Sequence, residues 1–92
     1  MVTRSVTVRN QLGMHARAAG RFVHTASGFQ SRVRVGRGHR VLDGKSIMGV
    51  LLLAAGCGSS ITISAEGTDE AEALEALCQL VESGFGEEPS SA

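Results

Sequence analysis

The sequence has no tryptophan and no tyrosine, and its phenylalanines are confined to three positions: 22, 29 and 85. Proteins that bind single-stranded nucleic acid stack the bases on exposed aromatic side chains. The scarcity of aromatic residues therefore argues against a stacking surface. Proline occurs once, while 42% of the residues are hydrophobic and 20% are charged. This balance is typical of a folded globular protein and excludes a disordered chain.

Cysteine is also scarce, because Cys57 and Cys78 are the only two in the sequence. They are 21 residues apart, and neither belongs to a Cys-X-X-Cys pair or to the histidine spacing of a zinc site. The pattern predicts free thiols in a reducing compartment. It predicts no metal site and no cofactor.

No apolar run is long enough to cross a membrane. The longest uncharged apolar stretch, residues 47–57, has about 11 residues, whereas a membrane span needs ~20. The N-terminus carries Arg4 and Arg9 in an alternating pattern and lacks the apolar segment of a signal peptide. We therefore expect a cytoplasmic protein without membrane insertion. Its 92 residues and its charge predict a monomer built of one domain.

The formal net charge is zero, but the charges are segregated along the chain. All nine basic residues lie between Arg4 and Lys45, where Asp43 is the single acid, so this part has a net charge of +8. The other eight acids run from Glu66 to Glu88. The segregation indicates either a basic face that attracts an acidic partner or an anion, or arginines scattered over the surface.

Hydrophobic periodicity predicts four strands and three helices. The predicted strands cover about 2–9, 32–35, 39–42 and 61–65, and the predicted helices cover about 16–27, 47–53 and 70–83. The order β-α-β-β-α-β-α, with one apolar face on each strand, favours an α+β fold with helices on one side of an antiparallel sheet. We expect a single domain over residues 1–86 and a short polar tail over 87–92.

Local signals predict where several elements begin and turn. Residues 36–38 are predicted as a hairpin turn. Ser46 is predicted to cap the second helix, and Asp69 the third, with Glu72 as the capping-box partner of Asp69. The residues predicted to form the inner face of the third helix are Ala71, Leu74, Leu77, Cys78 and Val81.

The most informative segment is GMHARAA, residues 13–19, which places His15 at the predicted start of the first helix. The first N–H groups of a helix lack partners within it and carry the positive end of its dipole, so they attract anions. Arg17 adds a forked cation that suits phosphate oxygens. The imidazole of His15 is therefore able to accept a phosphoryl group there. The alternative is an ordinary surface histidine.

Together with the element order, GMHARAA and the downstream segment DGKSIMGVLLLAAGCGSSITISAEG, residues 43–67, closely resemble the HPr family. Members of this family are the histidine-containing phosphocarriers of the bacterial phosphoenolpyruvate-dependent sugar phosphotransferase system. The resemblance extends from residue 2 to about residue 86. It implies an open-faced β-sandwich, in which a four-stranded antiparallel sheet of order 1-4-2-3 carries three helices on one face.

The resemblance also implies roles for individual residues. It implies that His15 accepts the phosphoryl group on Nδ1, with Arg17 as its catalytic partner and the backbone of Ala16 and Arg17 stabilising the phosphate. Ser46 matches the serine that HPr kinase/phosphorylase modifies in many family members. The residues that match the partner-docking surface around the histidine are Gly20, Ile47, Met48 and Leu51.

Ala18 is the one clear departure from the family pattern, which usually has proline after the arginine. Proline suits the first turn of a helix because its φ is preset and no bonded N–H is lost. Alanine is a good helix former, so we expect the first helix to form with Ala18. The departure leaves the transfer rate and the partners open.

Three functions are compatible with these observations. The first is a relay, not itself an enzyme, that carries phosphate on His15 from enzyme I to IIA components. The second is a regulatory module, modified at Ser46 by HPr kinase/phosphorylase, that binds the kinase or transcriptional regulators. The third is a nucleic-acid module that uses the arginines of residues 32–40. Zero net charge and the scarcity of aromatics argue against nucleic acid as a partner.

Overall fold

The computed structural model describes residues 1–86, so the predicted polar tail, 87–92, lies outside the described residues. The elements are β1 (Val2–Thr7), α1 (Ala16–Ser27), β2 (Arg32–Arg37), β3 (Arg40–Asp43), α2 (Ile47–Leu52), β4 (Ser60–Glu66) and α3 (Glu70–Glu82). This order is the predicted β-α-β-β-α-β-α. The two long helices, α1 and α3, have the lengths that their apolar periodicity predicts.

The four strands form one sheet in the order β1-β4-β2-β3, and every neighbouring pair is antiparallel. The register pairs Val6 with Ile61, and Val35 with Ile63, so that apolar side chains align across the sheet. These side chains are buried beneath the three helices. The opposite face carries mostly serine, threonine and arginine. The open-faced α+β sandwich with strand order 1-4-2-3 is therefore confirmed.

All the helices contribute to a single hydrophobic core. The largest of its fully buried side chains include Phe22, Phe85, Leu53, Ile61, Ile63 and Leu77. Four of the five residues predicted for the inner face of α3 are buried, but Ala71 is exposed and Ala73 takes its place. The reason is geometric, since Ala71 lies about 200° around the helix from Ala73.

The hairpin turn lies at residues 38 and 39, and the predicted turn at 36–38 is wrong. β2 continues to Arg37, which pairs with Arg40 across a two-residue turn. Gly38 has a φ of +61°, the left-handed conformation that short hairpin turns require at this point. His39 therefore belongs to the turn and not to β3.

Asp69 stands at the N-cap position of α3, but its side chain makes no capping hydrogen bond to that helix. Its carboxylate instead accepts hydrogen bonds from the backbone N–H groups of Gln30 and Ser31, over 2.8 and 2.9 Å, and from the Ser31 hydroxyl, over 2.5 Å. The capping prediction is wrong because this distant loop supplies competing donors. Asp69 thereby links the α1–β2 loop to the start of α3.

The carboxylate that reaches back at the start of α3 belongs to Glu70 and not to the predicted Glu72, which is exposed. Glu70 Oε1 accepts the N–H of Gly67 over 3.2 Å, and its Oε2 lies 3.3 Å from the N-terminal ammonium group. The spacing of three residues resembles that of a capping box, shifted by two residues toward the N-terminus.

α3 ends at Glu82, two residues before Gly84, whose φ is +74°. The N–H of Gly84 binds the carbonyl of Val81, and the N–H of Phe85 binds the carbonyl of Leu80, which together make a Schellman motif. Phe85 is fully buried, and its carbonyl accepts a hydrogen bond from Arg21 of α1. The end of α3 is therefore attached to the middle of α1.

Candidate functional site

The loop between β1 and α1 brings His15 to the start of α1 in a fixed conformation. Gly13 has a φ of +66°, and a Cβ at this position would lie only 2.6 Å from the carbonyl oxygen of Ala55. Buried Asn10 fixes the loop through two hydrogen bonds to Gly13. Its side-chain Nδ2 donates to the Gly13 carbonyl over 2.7 Å, and its backbone carbonyl accepts the Gly13 N–H over 3.1 Å. Both the space and the backbone conformation at Gly13 therefore require glycine.

His15 is the N-cap residue of α1, with an extended backbone and a half-buried ring. Its Nδ1 accepts the backbone N–H of Arg17 over 3.2 Å, and its carbonyl accepts the N–H of Ala19 over 2.8 Å. A backbone N–H can only donate, so Nδ1 presents its lone pair to the helix start and the ring proton resides on Nε2. The nucleophilic nitrogen is thus aimed at the positive end of the helix dipole.

The first turn of α1 presents positive charge without acidic neighbours in that turn. Ala16 and Arg17 are exposed, and no acidic residue occurs there. Ala18 is fully buried, and the helix runs without a break through it to Ser27, as expected for alanine at this position. The guanidinium of Arg17 and the first N–H groups of the helix are able to bind an anion beside His15.

Ser46 caps α2, as predicted. Its Oγ accepts the N–H of Gly49 over 3.1 Å, and its own N–H binds the carbonyl of Asp43 over 3.2 Å. The Ser46 side chain is half-buried at the start of α2. The neighbouring Lys45 donates from Nζ to the carbonyl of Phe29 over 2.7 Å, which fixes its charge against the α1–β2 loop.

α2 presents an apolar surface beside α1, against which it packs. Ile47, Met48 and Leu52 are 49%, 67% and 51% exposed, and we call these three residues the apolar patch. Leu51 is only half-buried. On α1, Gly20 leaves open space, because a Cβ there would meet no atom within 4 Å. The predicted docking residues therefore lie on two helices that are in contact.

Leu52 and Asn10 are two site residues that the sequence analysis missed. Leu52 follows Met48 at the i, i+4 spacing of one helix face, so helical periodicity could have added it to the patch. Asn10 begins a turn that ends at Gly13, and asparagine at the first position with glycine at the fourth is typical of a type I turn. Both signals were present in the sequence.

The arginines of the β2–β3 hairpin do not form one continuous cationic surface. Arg37 and Arg40 bind backbone carbonyls at the end of α2. Arg32 and Arg34 alternate with the buried valines of β2 and therefore lie on the other, uncovered face of the sheet. This division argues against the nucleic-acid module.

Two carboxyls among the described residues, Asp69 and Glu70 at the start of α3, have a lowered pKa, and that of Glu70 is lowered mainly by the hydrogen bond from the Gly67 N–H. Hydrogen bonds from the Ser31 hydroxyl and the Gln30 N–H lower the pKa of Asp69. Of the two cysteines, Cys57 is exposed and Cys78 is buried, and burial raises the pKa of the Cys78 thiol.

Within residues 1–86, no three or more His, Cys, Asp or Glu side chains are grouped so that they could hold a metal ion. In the same part of the chain, no helix has both the length and the apolar character needed to span a membrane.

The fold and the site together define a class of small open-faced α+β sandwich in which a histidine caps the first helix over an anion-attracting helix start. The family model described as the phosphorylation site of the HPr component of the PTS, the phosphotransferase system, matches residues 2–83. The chain belongs to the HPr family of phosphocarrier proteins.

Relatives of known sequence and structure agree with this assignment. The phosphocarrier protein HPr of Cupriavidus necator is 47% identical over 87 residues, which cover 95% of this chain and 98% of the relative. The crystal structure of HPr-C-His from Thermoanaerobacter tengcongensis aligns with a TM-score of 0.92 at 44% identity, over 96% of this chain and 99% of that one. The solution structure of Crh, the Bacillus subtilis catabolite repression HPr, aligns with a TM-score of 0.64 at 40% identity, over 88% and 96%.

Proposed function

We propose that this protein carries a phosphoryl group on Nδ1 of His15, which it receives from phosphorylated enzyme I and passes to IIA components. In the first transfer, the Nδ1 lone pair forms a bond to phosphorus while the bond from phosphorus to enzyme I breaks. The bonding electrons return to the enzyme I side chain, and the proton on Nε2 of His15 stays in place. In the second transfer, the IIA acceptor forms a bond to phosphorus while the bond between phosphorus and Nδ1 breaks, and the bonding electrons return to Nδ1.

The observation that carries the proposal is the 3.2 Å hydrogen bond from the Arg17 N–H to Nδ1 of His15. It aims the lone pair at the place where a phosphoryl group would meet the helix dipole. After transfer, the N–H groups of Ala16 and Arg17 and the Arg17 guanidinium are available to the phosphate oxygens. Such transfers need mainly positioning and charge neutralisation, which a domain of this size supplies together with its partner.

The proposal extends to partners and context. Gly20, Ile47, Met48 and Leu51 form the docking surface for enzyme I and IIA, supported by the exposure of the apolar patch beside α1. Residues 1–86 act as one domain, supported by their single core. The protein works as a monomeric relay in the cytoplasm and is not itself an enzyme, in keeping with its membership of the phosphocarrier family.

Phosphate transfer tests the proposal directly. The protein is incubated with phosphoenolpyruvate and enzyme I, and its intact mass is measured before and after mild acid treatment. We expect one added phosphate that acid removes and that His15→Ala abolishes. His24→Ala and His39→Ala are matched controls, because both histidines are exposed and lie outside the helix start. Retention of the phosphate in His15→Ala would refute the proposed acceptor.

A second candidate function is a regulatory module that is phosphorylated at Ser46 by HPr kinase/phosphorylase and binds transcriptional regulators. The similarity to Crh, a catabolite repression HPr, favours it, as does the half-exposed Ser46 at the start of α2. Failure of His15 to take up phosphate from an enzyme I that is active on another HPr would favour this candidate. An acid-stable phosphate that HPr kinase/phosphorylase adds to the unsubstituted protein but not to Ser46→Ala would support regulation at Ser46.

A further inference from the structure

The carbonyl groups at the end of α2 are bound by two arginines from the β2–β3 hairpin. Arg40 Nη1 donates to the carbonyl of Leu52 over 2.5 Å. Arg37 Nη1 donates to the carbonyls of Leu53 and Ala54, each over 3.1 Å. Three consecutive carbonyls are therefore held by two guanidinium groups, and we call Arg37 and Arg40 the arginine clamp.

The next carbonyl along the chain, that of Ala55, connects the end of α2 to the loop that carries His15. The carbonyl of Ala55 accepts the N–H of Met14 over 2.9 Å, and it also lies against Gly13. The end of α2 thus lies between the arginine clamp on one side and the residues immediately before His15 on the other. A displacement of residues 52–55 would therefore shift both the last turn of α2 and the loop before His15.

α2 needs stabilisation from outside because it is very short. It has six residues, and isolated helices of that length are unstable in water. Ser46 caps its N-terminus, but its last turn contains no basic residue of its own, and the final carbonyls of a helix lack partners within it. Cations at this end bind those carbonyls and complement the negative end of the helix dipole.

We propose that Arg37 and Arg40 are positioning residues that hold the last turn of α2, and with it the apolar patch, in the geometry that a partner protein recognises. This inference rests on the proposed function, in which partners dock on α2. The arginine clamp acts through α2 and touches no reacting atom. Arg37 and its cross-strand partner Arg40 face the helices because side chains alternate between the two faces of a strand.

The competing explanation is that the core alone positions α2. Val50 and Leu53 are fully buried and anchor the inner side of the helix. Met48 and Leu52, however, lie on its exposed side, and the carbonyl of Leu52 is the one that Arg40 binds. The two explanations differ in whether removal of the guanidinium groups changes the last turn while the core stays intact.

The test compares the double variant Arg37→Gln/Arg40→Gln with Arg34→Gln, which removes an exposed charge from the opposite face of the same hairpin. Amide hydrogen exchange is measured at Leu53 and Ala54, whose N–H groups close the last turn of α2. We expect exchange at these two amides to accelerate about tenfold in the double variant, while the amides of β4 remain protected. Unchanged exchange at Leu53 and Ala54 would overturn the arginine clamp.

Phosphate transfer from enzyme I supplies the functional readout. We expect the double variant to raise the KM for this protein about fivefold with kcat retained, and Arg34→Gln to leave both within about twofold. The variant Arg37→Lys/Arg40→Lys restores the positive charge and is expected to recover part of the lost affinity. An unchanged KM despite faster exchange would show that docking does not depend on the geometry of the last turn, and would overturn the proposed role.

A stability control separates positioning from general destabilisation. Asp69→Asn weakens the remote junction between the α1–β2 loop and α3, and it should lower the unfolding midpoint without raising KM. A raised KM in Asp69→Asn would attribute the effect to stability alone and refute positioning. If the unsubstituted protein takes no phosphate from an active enzyme I, the proposed function fails and the docking role fails with it, whereas the exchange experiment still decides whether the arginine clamp holds α2.

Discussion

The backbone N–H of Arg17 donates to Nδ1 of His15, so one residue offers the site two separate groups, an N–H and a guanidinium. The two contributions are separable by substitution. Arg17→Ala removes the guanidinium and keeps the N–H, and Arg17→Pro removes both. Proline is tolerated in the first turn of a helix, where the N–H has no helical partner.

We expect Arg17→Ala to lower the rate of phosphate transfer from enzyme I by about ten- to a hundredfold, because a charge-assisted contact to the phosphate is lost. Arg17→Pro should lower the rate by about a further tenfold, because the N–H that faces Nδ1 is lost as well. Circular dichroism checks that α1 persists in both variants. Equal rates in the two variants would show that the backbone N–H contributes nothing to transfer.

Ser46 allows the effect of charge to be separated from the effect of capping. Aspartate and asparagine both cap helices well, so Ser46→Asp and Ser46→Asn should each preserve α2. We expect Ser46→Asp to slow phosphate transfer about tenfold, because its negative charge beside the apolar patch repels an acidic partner and is costly to desolvate. Ser46→Asn should transfer at close to the original rate. Equal slowing by both variants would assign the effect to the cap and not to charge.

Much of the fold could be predicted from the sequence because its signals are local. The periodicity of α1, the alternation in β2 and β4, and the capping serine of α2 each depend on neighbouring residues alone. His15 could likewise be placed at a helix start, since a loop glycine and the first apolar repeat of α1 flank it. These features needed no knowledge of the tertiary structure.

Some features could not be predicted because distant residues determine a local choice. Asp69 resembles a helix cap in sequence, but donors 38 and 39 residues away take its carboxylate. Arg37 resembles a turn residue in a basic hairpin, but its guanidinium binds carbonyls 16 and 17 residues further along the chain. No single-sequence pattern indicates that such pairs meet, because only the packing of the helices on the sheet brings them together.

Ala54 is exposed and has a φ of +52°, a conformation that disfavours residues with a Cβ. Glycine adopts it without strain, although it loses more backbone entropy on folding. We therefore expect Ala54→Gly to raise the free energy of unfolding by about 0.5–1 kcal/mol in urea denaturation. Ala76→Gly, in the middle of α3, is the matched control and should lower the free energy of unfolding by about 1 kcal/mol. Destabilisation by both substitutions would contradict the assignment of strain to Ala54.

The carboxylate of Asp69 should make stability depend on acid pH. Its hydrogen bonds lower its pKa in the folded protein below the ordinary value of 3.8. The stabilisation is thus fully present above about pH 4 and is lost as the pH falls through the lowered folded pKa.

We expect Asp69→Asn to be less stable than the unsubstituted protein at pH 7, with a difference in the free energy of unfolding that narrows as the pH drops below about 4. Glu72→Gln, on an exposed part of the same helix, should show no such narrowing. Chemical denaturation across pH 2–7 measures the difference, and a constant gap would contradict the role of the charge.

The two thiols should differ sharply in reactivity. Cys57 is exposed, whereas burial keeps Cys78 away from reagents and raises its pKa, so that less reactive thiolate forms. With a chromogenic disulfide reagent at pH 8, we expect about one thiol to react rapidly in the native protein and the second only after denaturation. Cys57→Ser should remove the rapid phase and Cys78→Ser should retain it. Since Cys78 lies on the buried face of α3, a rapid second thiol in the native protein would mean that α3 detaches readily from the sheet.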